Sequence, residues 1–275
     1  MLAAMDSPPA SAPAAAFFDL DKTIIAKSST LAFGKPFYAG GLINRRSMLR
    51  ATYAQFVYLV GGADASQMDR MRDYLTALCA GWDVQLVRDI VAETLHEIVN
   101  PLIYDEAASL IEEHRADGRA VVIVSSSGEE LVGPIGDLVG ADQVVATRMV
   151  VHEGCYTGAI DFYAYGEEKA AAIRRLAAVH GFDLAASYAY SDSVTDVPML
   201  EAVGHPFAVN PDKGLRRIAV DRGWPVLEFR RPVTLRDRIP RLPPPPGPRV
   251  GAAAVAGAVA VGAGAAWYAV HRRRT

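Results

Sequence analysis

The chain has 275 residues, of which 51% are hydrophobic and 21% charged, and its formal net charge at pH 7 is −3. That length and apolar content suffice for one sizeable core with an inserted segment. The slightly acidic balance gives no basic surface for nucleic acid, which we exclude as a partner. The two cysteines, Cys79 and Cys155, lack metal-ligand spacing and indicate a reducing compartment.

The first structured element is a short strand that ends in two acids. Residues 1–13 are rich in Ala, Ser and Pro and predict a disordered tail rather than a signal peptide. The apolar run from Ala14 to Phe18 then predicts a buried strand followed by Asp19 and Asp21. Positions i and i+2 of a strand point the same way, so both carboxylates face one small volume. Such a pair needs a cation or a shared proton, although paired acids also occur in turns and helix caps.

About eighty residues without a strong strand signal follow the first strand. Helical patterns in this stretch lie near residues 42–60, 66–80 and 83–99. We therefore predict an inserted α-helical cap over residues 27–100, which can exclude water and select the substrate. Three arginines of the cap either bind an anionic substrate or form a solvated helix face: Arg45, Arg46 and Arg50.

The remainder alternates apolar strands with helical segments. Strand patterns lie near residues 15–19, 120–124, 143–147, 187–191 and 206–209. Helical patterns lie near residues 103–116, 128–139, 167–180 and 212–222. The stretch from Val150 to Ile160 predicts a small hairpin. This order predicts an α/β fold with a doubly wound, mostly parallel sheet, whose catalytic core comprises residues 14–26 and 101–229.

Polar residues also follow two later strands and begin one helix. Ser125 follows an apolar strand, Lys169 lies near the start of a helical stretch, and Asp192 and Asp196 follow a third strand. Each has a structural alternative: the serine and the acids can cap the helices that follow them, and a single lysine on a helix is commonly exposed. The order of carboxylate, hydroxyl, lysine and acid pair favours one shared site.

Together these motifs resemble those of haloacid dehalogenase superfamily phosphatases, in the phosphoserine phosphatase-like IB group. The matching residues are Asp19-Leu20-Asp21-Lys22-Thr23, Ser125, Lys169 and Asp192-Ser193-Val194-Thr195-Asp196. The resemblance extends over about residues 14–229. It implies a Rossmann-like core and a hydrolase that acts on phosphoric monoesters.

The resemblance also implies a role for each motif residue. Asp19 is the nucleophile that forms an aspartyl-phosphate, and Asp21 is the general acid and base. Mg²⁺, the expected cofactor, is held by the Asp19 carboxylate, the Asp21 backbone carbonyl and Asp192. The phosphate is bound by Ser125, the Ser126 amide and Lys169. The metal and phosphate ligands are supported from behind by Asp196, Thr23 and Thr195.

Two positions depart from phosphoserine phosphatases, which carry a carboxylate nine residues after the nucleophile and an asparagine in the fourth motif. This chain has Ser28 and Thr195 there. The predicted function is therefore hydrolysis of a phosphate monoester by a Mg²⁺-dependent phosphatase, with a small metabolite or a lipid phosphate as substrate. The alternatives are a phosphoserine phosphatase of serine biosynthesis, a related phosphoryl-transfer enzyme, and a catalytically idle, membrane-tethered scaffold.

The last segment predicts a membrane anchor. After an Arg- and Pro-rich linker over residues 230–249, residues 250–270 contain no charge and precede a basic tail at 271–275. A helix of that length is about 31 Å long and spans a bilayer. The arginines before it favour a cytoplasmic catalytic domain at the cell membrane, and its small residues allow a homodimer. The alternative is a flexible Ala-Gly tail on a cytoplasmic protein.

Overall fold

The structure, a computed structural model, describes residues 12–43, 73 and 76–230. All of these described residues lie in one compact unit. Several predicted features lie outside the described residues: most of the N-terminal tail, the helix near 42–60 and most of that near 66–80, the three cap arginines, nearly all of the linker, and residues 250–275. Within the described ranges, no helix is both long and apolar enough to cross a membrane.

A seven-stranded sheet forms the centre of the described structure. Its strands are β1 (Ala15–Phe18), β2 (Ala120–Gly128), β3 (Gln143–His152), β4 (Cys155–Phe162), β5 (Tyr188–Ser191), β6 (His205–Val209) and β7 (Val226–Leu227). Their order is β4-β3-β2-β1-β5-β6-β7, and only β4 is antiparallel to its neighbour. The predicted α/β fold with a mostly parallel sheet is confirmed.

Helices connect the strands, and we number the described ones in chain order. They are α1 (Ser29–Ala32), α2 (Gly34–Ala39), α3 (Val84–Val99), α4 (Asp105–Ala116), α5 (Glu129–Val139), α6 (Glu167–His180), α7 (Val197–Glu201) and α8 (Lys213–Arg222). Short 3₁₀ turns occupy Asn100–Leu102, Leu184–Ala186 and Val194–Asp196. Side chains cap two of the helices, since Asp83 accepts from the Leu86 amide at 2.9 Å and Asp212 from the Leu215 amide at 2.8 Å.

The structure extends or shortens several predicted elements. The predicted hairpin is confirmed as β3 and β4, and both strands are longer than the sequence pattern indicated. Strand β2 continues past Val124 to Gly128 through an irregularity in its pairing with β3, so polar residues follow the apolar run within one strand. Strand β7 has only two residues, too few for a period-2 pattern to reveal. The division into core and cap stays a prediction.

Strand β1 is buried on both faces of the sheet. Phe17 and Phe18 are both 0% exposed, and they belong to different hydrophobic clusters because successive side chains point to opposite faces. Phe18 packs in the cluster that includes Ile111 of α4 and Ile135 of α5, whereas Phe17 packs in the cluster that includes Ile173 of α6. A strand enclosed by two layers explains its uninterrupted apolar sequence.

An aromatic cluster beside Phe18 contains a buried histidine. The rings of Phe18 and Tyr190 stack with centroids 4.4 Å apart, and His114 Nε2 lies 2.9 Å from the Tyr190 hydroxyl. Arg119 donates to His114 Nδ1 at 3.0 Å, which requires a neutral imidazole that carries its proton on Nε2. Burial, followed by the charge of Arg119, lowers the pKa of His114 to about 4.

We expect His114 to make the stability of the fold sensitive to mild acid. The folded-state pKa of His114 lies below the ordinary value of 6.5. The contribution of the neutral imidazole to the free energy of unfolding is therefore complete above pH 6.5 and is lost as the pH falls towards 4. The loss is about 2 to 3 kcal/mol. Urea unfolding of wild type between pH 7 and pH 4.5 should therefore show a steeper decline than that of His114→Gln. The exposed His96→Gln is the control, and parallel declines in wild type and His114→Gln would contradict the prediction.

Candidate active site

The sheet order brings the predicted motifs to one edge. Strand β1 lies between β2 and β5, with Phe18 in register with Ile123 and Tyr190. Asp19 directly follows β1, Ser125 lies near the end of β2, and Asp192 directly follows β5. The carboxyl ends of three adjacent parallel strands thus converge, which is where open α/β sheets bind ligands.

Lys169 joins two of the strand ends from the first turn of α6. Its side chain is 2% exposed, and Nζ donates to Asp19 Oδ1 at 2.7 Å and to Asp196 Oδ2 at 2.8 Å. Burial alone would lower the pKa of the Lys169 ammonium, but the charges of the two carboxylates raise it above its ordinary value. The lysine is therefore not an exposed helix residue; it is a buried cation held by both predicted acid motifs.

Asp19 and Asp192 are buried carboxyl groups whose negative charge is only partly compensated. Burial raises the pKa of Asp19 to about 7 despite Lys169, and burial and the charge of Asp19 raise the pKa of Asp192 to about 8. Lys22 Nζ lies 3.8 Å from Asp192 Oδ2 but is 42% exposed, which weakens its compensation. A buried carboxylate whose pKa is raised by a second, neighbouring carboxylate favours a bound cation.

The donor set at this place fits a magnesium ion. No group of three or more Asp, Glu, His or Cys side chains arranged to hold a metal occurs in the described residues. Asp19 and Asp192 supply carboxylates, and Asp21 adds a backbone carbonyl nearby in the chain. Mg²⁺ binds through few carboxylates and keeps several waters, so an oxygen-only set of this size suits it better than zinc.

Asp21 has a different environment from Asp19. The Ser29 amide donates to its Oδ1 at 2.8 Å, and the Ser127 hydroxyl donates to its Oδ2 at 3.2 Å. Burial raises the pKa of Asp21, and these hydrogen bonds oppose that effect. Lys22, at φ 62°, turns the chain immediately after Asp21. The two acids of one motif therefore differ in their partners: Asp19 accepts from the Lys169 ammonium, whereas Asp21 accepts from a neutral amide and a neutral hydroxyl.

The serines at the end of β2 alternate between buried and exposed. Ser125 and Ser127 are 1% and 7% exposed, whereas the Ser126 side chain is exposed. Ser125 Oγ accepts from the Ser127 amide at 3.2 Å, and Gly128 occupies the cap position of α5, so Ser125 is not the helix cap. The Ser126 carbonyl accepts from the Thr147 hydroxyl at 2.7 Å, which fixes the end of β2 to β3.

The residues predicted to support the ligands, Asp196, Thr23 and Thr195, have different surroundings. Asp196 Oδ2 also accepts from the Ser191 hydroxyl at 2.7 Å, and its side chain does not cap α7. Thr23 is fully buried, and its hydroxyl has no hydrogen-bond partner in the part of the chain that the structure describes. The Thr195 hydroxyl lies 3.0 Å from that of Ser193. Asp196 thus contacts Lys169 and Ser191, Thr195 pairs within its own turn, and the supporting roles of Asp196, Thr23 and Thr195 stay predictions.

Several contributing residues were missed by the sequence analysis. Ser127 and Ser29 hold Asp21, Ser191 holds Asp196, and Asp212 accepts from the Val194 amide at 2.9 Å and so fixes the loop after β5. The sequence does contain a signal for Ser127. It lies two residues after Ser125, and the alternation of side chains along a strand places the two serines on the same side.

Comparison with known proteins identifies the class. The family model described as haloacid dehalogenase-like hydrolase matches residues 16–201, which contain all the motif residues described above. The chain therefore belongs to the haloacid dehalogenase family of hydrolases.

Two of three relatives carry phosphatase names and refine this to a phosphatase. The chain is 66% identical over 260 residues to a Streptomyces azureus protein described as an inhibition of morphological differentiation protein, with 94% of each chain covered. It is 62% identical over 259 residues to a probable phosphatase of Mycobacterium tuberculosis, covering 94% of this chain and 89% of the relative. A phosphoserine phosphatase of the same organism is 34% identical over 225 residues, covering 81% and 73%. The chain is a hydrolase of the phosphatase class.

A solved structure supports the fold. A protein of unknown function from Bordetella pertussis has a TM-score of 0.69 and 29% sequence identity to this chain, covering 79% of this chain and 99% of that one.

Loss of the buried ammonium should destabilise the fold. Lys169→Met leaves Asp19 and Asp196 without their shared cation, and we expect the free energy of unfolding at pH 7.5 to fall by about 3 to 5 kcal/mol. Adding Asp196→Leu should recover part of the loss because it removes one of the two buried charges. Urea unfolding measures both changes. Lys213→Met, on the exposed face of α8, is the control, and a loss no greater than that of the control would refute the pairing.

Proposed function

We propose that this chain is a Mg²⁺-dependent phosphatase that hydrolyses a small phosphate monoester through an aspartyl-phosphate intermediate. The observation that carries the proposal is the contrast between the two acids of the first motif. Asp19 accepts from a buried ammonium at 2.7 Å, whereas Asp21 is held by an amide and a hydroxyl. An anchored carboxylate suits a nucleophile, and a buried carboxyl among neutral donors suits a group that gains and loses a proton.

In the first step, Asp19 attacks the phosphorus atom. Lys169 holds Oδ1, so Oδ2 is the oxygen that forms the new bond to phosphorus. The bond between phosphorus and the substrate oxygen breaks, and the proton of Asp21 goes to the departing alkoxide. The Ser125 hydroxyl, the Ser126 amide and the Lys169 ammonium bind the phosphoryl oxygens and offset their charge.

In the second step, water replaces the enzyme carboxylate. Asp21, now ionised, takes a proton from a water molecule, whose oxygen attacks the phosphorus. The bond between phosphorus and the Asp19 oxygen breaks, which releases inorganic phosphate and returns the free carboxylate. The proton acquired by Asp21 prepares it for the next leaving group.

Asp19, Asp192 and the Asp21 carbonyl are the residues that would hold Mg²⁺. When bound, the ion neutralises charge on the phosphoryl oxygens and on the carboxylates around it. The support for it is the raised pKa of both Asp19 and Asp192 and the oxygen-only donor set.

For the substrate, a free phosphorylated metabolite of the phosphoserine type has the best support. A relative that shares 34% identity over 81% of this chain is a phosphoserine phosphatase. Ser28 provides no carboxylate for the substrate's amino group, so the preferred compound need not be phosphoserine itself. A membrane-associated phosphate ester is a second candidate, favoured by the charge-free residues 250–270, because an anchor raises the local enzyme concentration at a bilayer.

A substrate panel with one variant tests the function. The full chain with Mg²⁺ should release phosphate from L-phosphoserine or another soluble monoester faster than from a lipid phosphate in detergent micelles. Chelation by EDTA should abolish turnover. Asp19→Asn should lower kcat by about 10³-fold or more, because the amide is a poor nucleophile and cannot form the acyl phosphate.

The matched control and a direct observation of the intermediate sharpen the test. Asp137→Asn, an exposed aspartate on α5, should retain wild-type activity. Asp21→Asn slows the hydrolytic step, so acid-quenched protein should carry phosphate on Asp19 by mass spectrometry. Equal turnover by wild type and Asp19→Asn would exclude the mechanism, and faster turnover of the lipid phosphate would favour the second candidate.

A further inference from the structure

Ser127 lies at the centre of a group of hydroxyls beside Asp21. Its Oγ donates to Asp21 Oδ2 at 3.2 Å, accepts from Ser29 Oγ at 2.9 Å and lies 3.4 Å from Thr30 Oγ1. The residue is 7% exposed, and its own amide is bound to Ser125 Oγ. Both the backbone and the side chain of Ser127 are therefore fixed inside the site.

The hydrogen bond from Ser29 gives the Ser127 hydroxyl a direction. A serine hydroxyl carries one proton and two acceptor lone pairs. Because Ser29 donates its proton to Ser127, the proton of Ser127 points to Asp21. The Ser29 amide holds the other carboxyl oxygen of Asp21 at 2.8 Å, so both oxygens are fixed and the carboxyl group cannot rotate freely about its bond to Cβ.

The contacts connect three separate parts of the chain. Asp21 follows β1, Ser127 belongs to the end of β2, and Ser29 and Thr30 begin α1, which opens the segment predicted as the cap. About one hundred residues separate Ser127 from Asp21 and Ser29 in sequence. The orientation of Asp21 therefore requires the fold, and a local turn could not produce it.

We propose that Ser127 is a positioning residue for proton transfer, which orients the Asp21 carboxyl towards the oxygen of the departing group. This inference rests on the proposed function. Proton transfer requires a heavy-atom distance near that of a hydrogen bond, and a misplacement of about 1 Å can cost about 10²-fold in rate. Ser127 does not touch the substrate; it acts through Asp21.

The basicity of the leaving group separates this role from general support of the fold. An alkyl phosphate such as β-glycerol phosphate leaves as a strongly basic alkoxide that needs a proton during bond cleavage. p-Nitrophenyl phosphate leaves as a weakly basic phenolate that needs little help. A misplaced general acid therefore slows the alkyl ester selectively, whereas a damaged fold slows both esters.

The experiment compares kcat/KM for these two esters in the full chain with Mg²⁺. This constant covers the steps up to departure of the leaving group, so the later hydrolysis common to both esters does not obscure the result. Ser127→Ala should lower kcat/KM for β-glycerol phosphate by about 10- to 100-fold and for p-nitrophenyl phosphate by less than about 3-fold. The inhibition constant for inorganic phosphate should stay within about 2-fold of the wild-type value.

Two further variants complete the test. Ser127→Thr retains the hydroxyl and should restore most of the activity on the alkyl ester. Ser187→Ala is the matched control, because Ser187 is also buried and hydrogen-bonded but lies at the opposite end of β5, where it donates to the Asp183 carbonyl at 2.6 Å. Ser187→Ala should change kcat/KM for the two esters by the same factor. If Ser127→Ala does not fold, Ser29→Ala removes the hydroxyl that directs Ser127 and should show the same selectivity, to a smaller extent.

The possible results are distinguishable. An equal fall in kcat/KM for both esters, no fall for either, or failure of Ser127→Thr to restore activity on the alkyl ester would overturn the positioning role. A wild-type chain whose turnover of both esters is no higher than that of Asp19→Asn would instead overturn the proposed function.

Discussion

The ammonium group of Lys169 lies inside the protein and can stay charged there because Asp19 and Asp196 both accept hydrogen bonds from it. This one interaction connects α6 to the ends of β1 and β5. It also compensates only part of the local negative charge, since Asp192 lies nearby with a raised pKa. A fold held by this interaction thus retains an unsatisfied preference for cations, and that preference is the basis of metal binding in the proposed mechanism.

The central position of β1 explains why the two acids of the first motif can behave differently. The strand is enclosed on both faces, so polar side chains can appear only beyond its end. Asp19 follows immediately and faces the lysine delivered by α6. Asp21 lies just before the turn at Lys22 and faces hydroxyl and amide donors from β2 and α1. Two residues of separation are therefore enough to place chemically equal groups in unequal surroundings.

The sequence predicted the sheet well because fully buried parallel strands are apolar throughout and end at polar residues. It also placed the acids and the lysine at one edge, and a signal for the burial of Lys169 was present, since Ile173 lies one turn later on the same face of α6. The contacts of Ser127, Ser29, Ser191 and Asp212 were not predictable in this way. They join residues brought together by the fold, and no periodic pattern in a single sequence reports which hydroxyl meets which carboxylate.

The hydrogen bonds around Asp21 also bear on substrate choice. Ser29 and Thr30 belong to the first turn of the segment predicted to select the substrate, and Ser28, which replaces the carboxylate of phosphoserine phosphatases, directly precedes them. The same turn that lacks the expected substrate ligand therefore supplies the amide that holds the proposed general acid and the hydroxyl that directs Ser127 towards it. A change of specificity at this turn would move Asp21 as well, because both oxygens of its carboxyl depend on that turn, one directly and one through Ser127. In the proposed mechanism, recognition of the substrate and protonation of its leaving group are thus physically coupled.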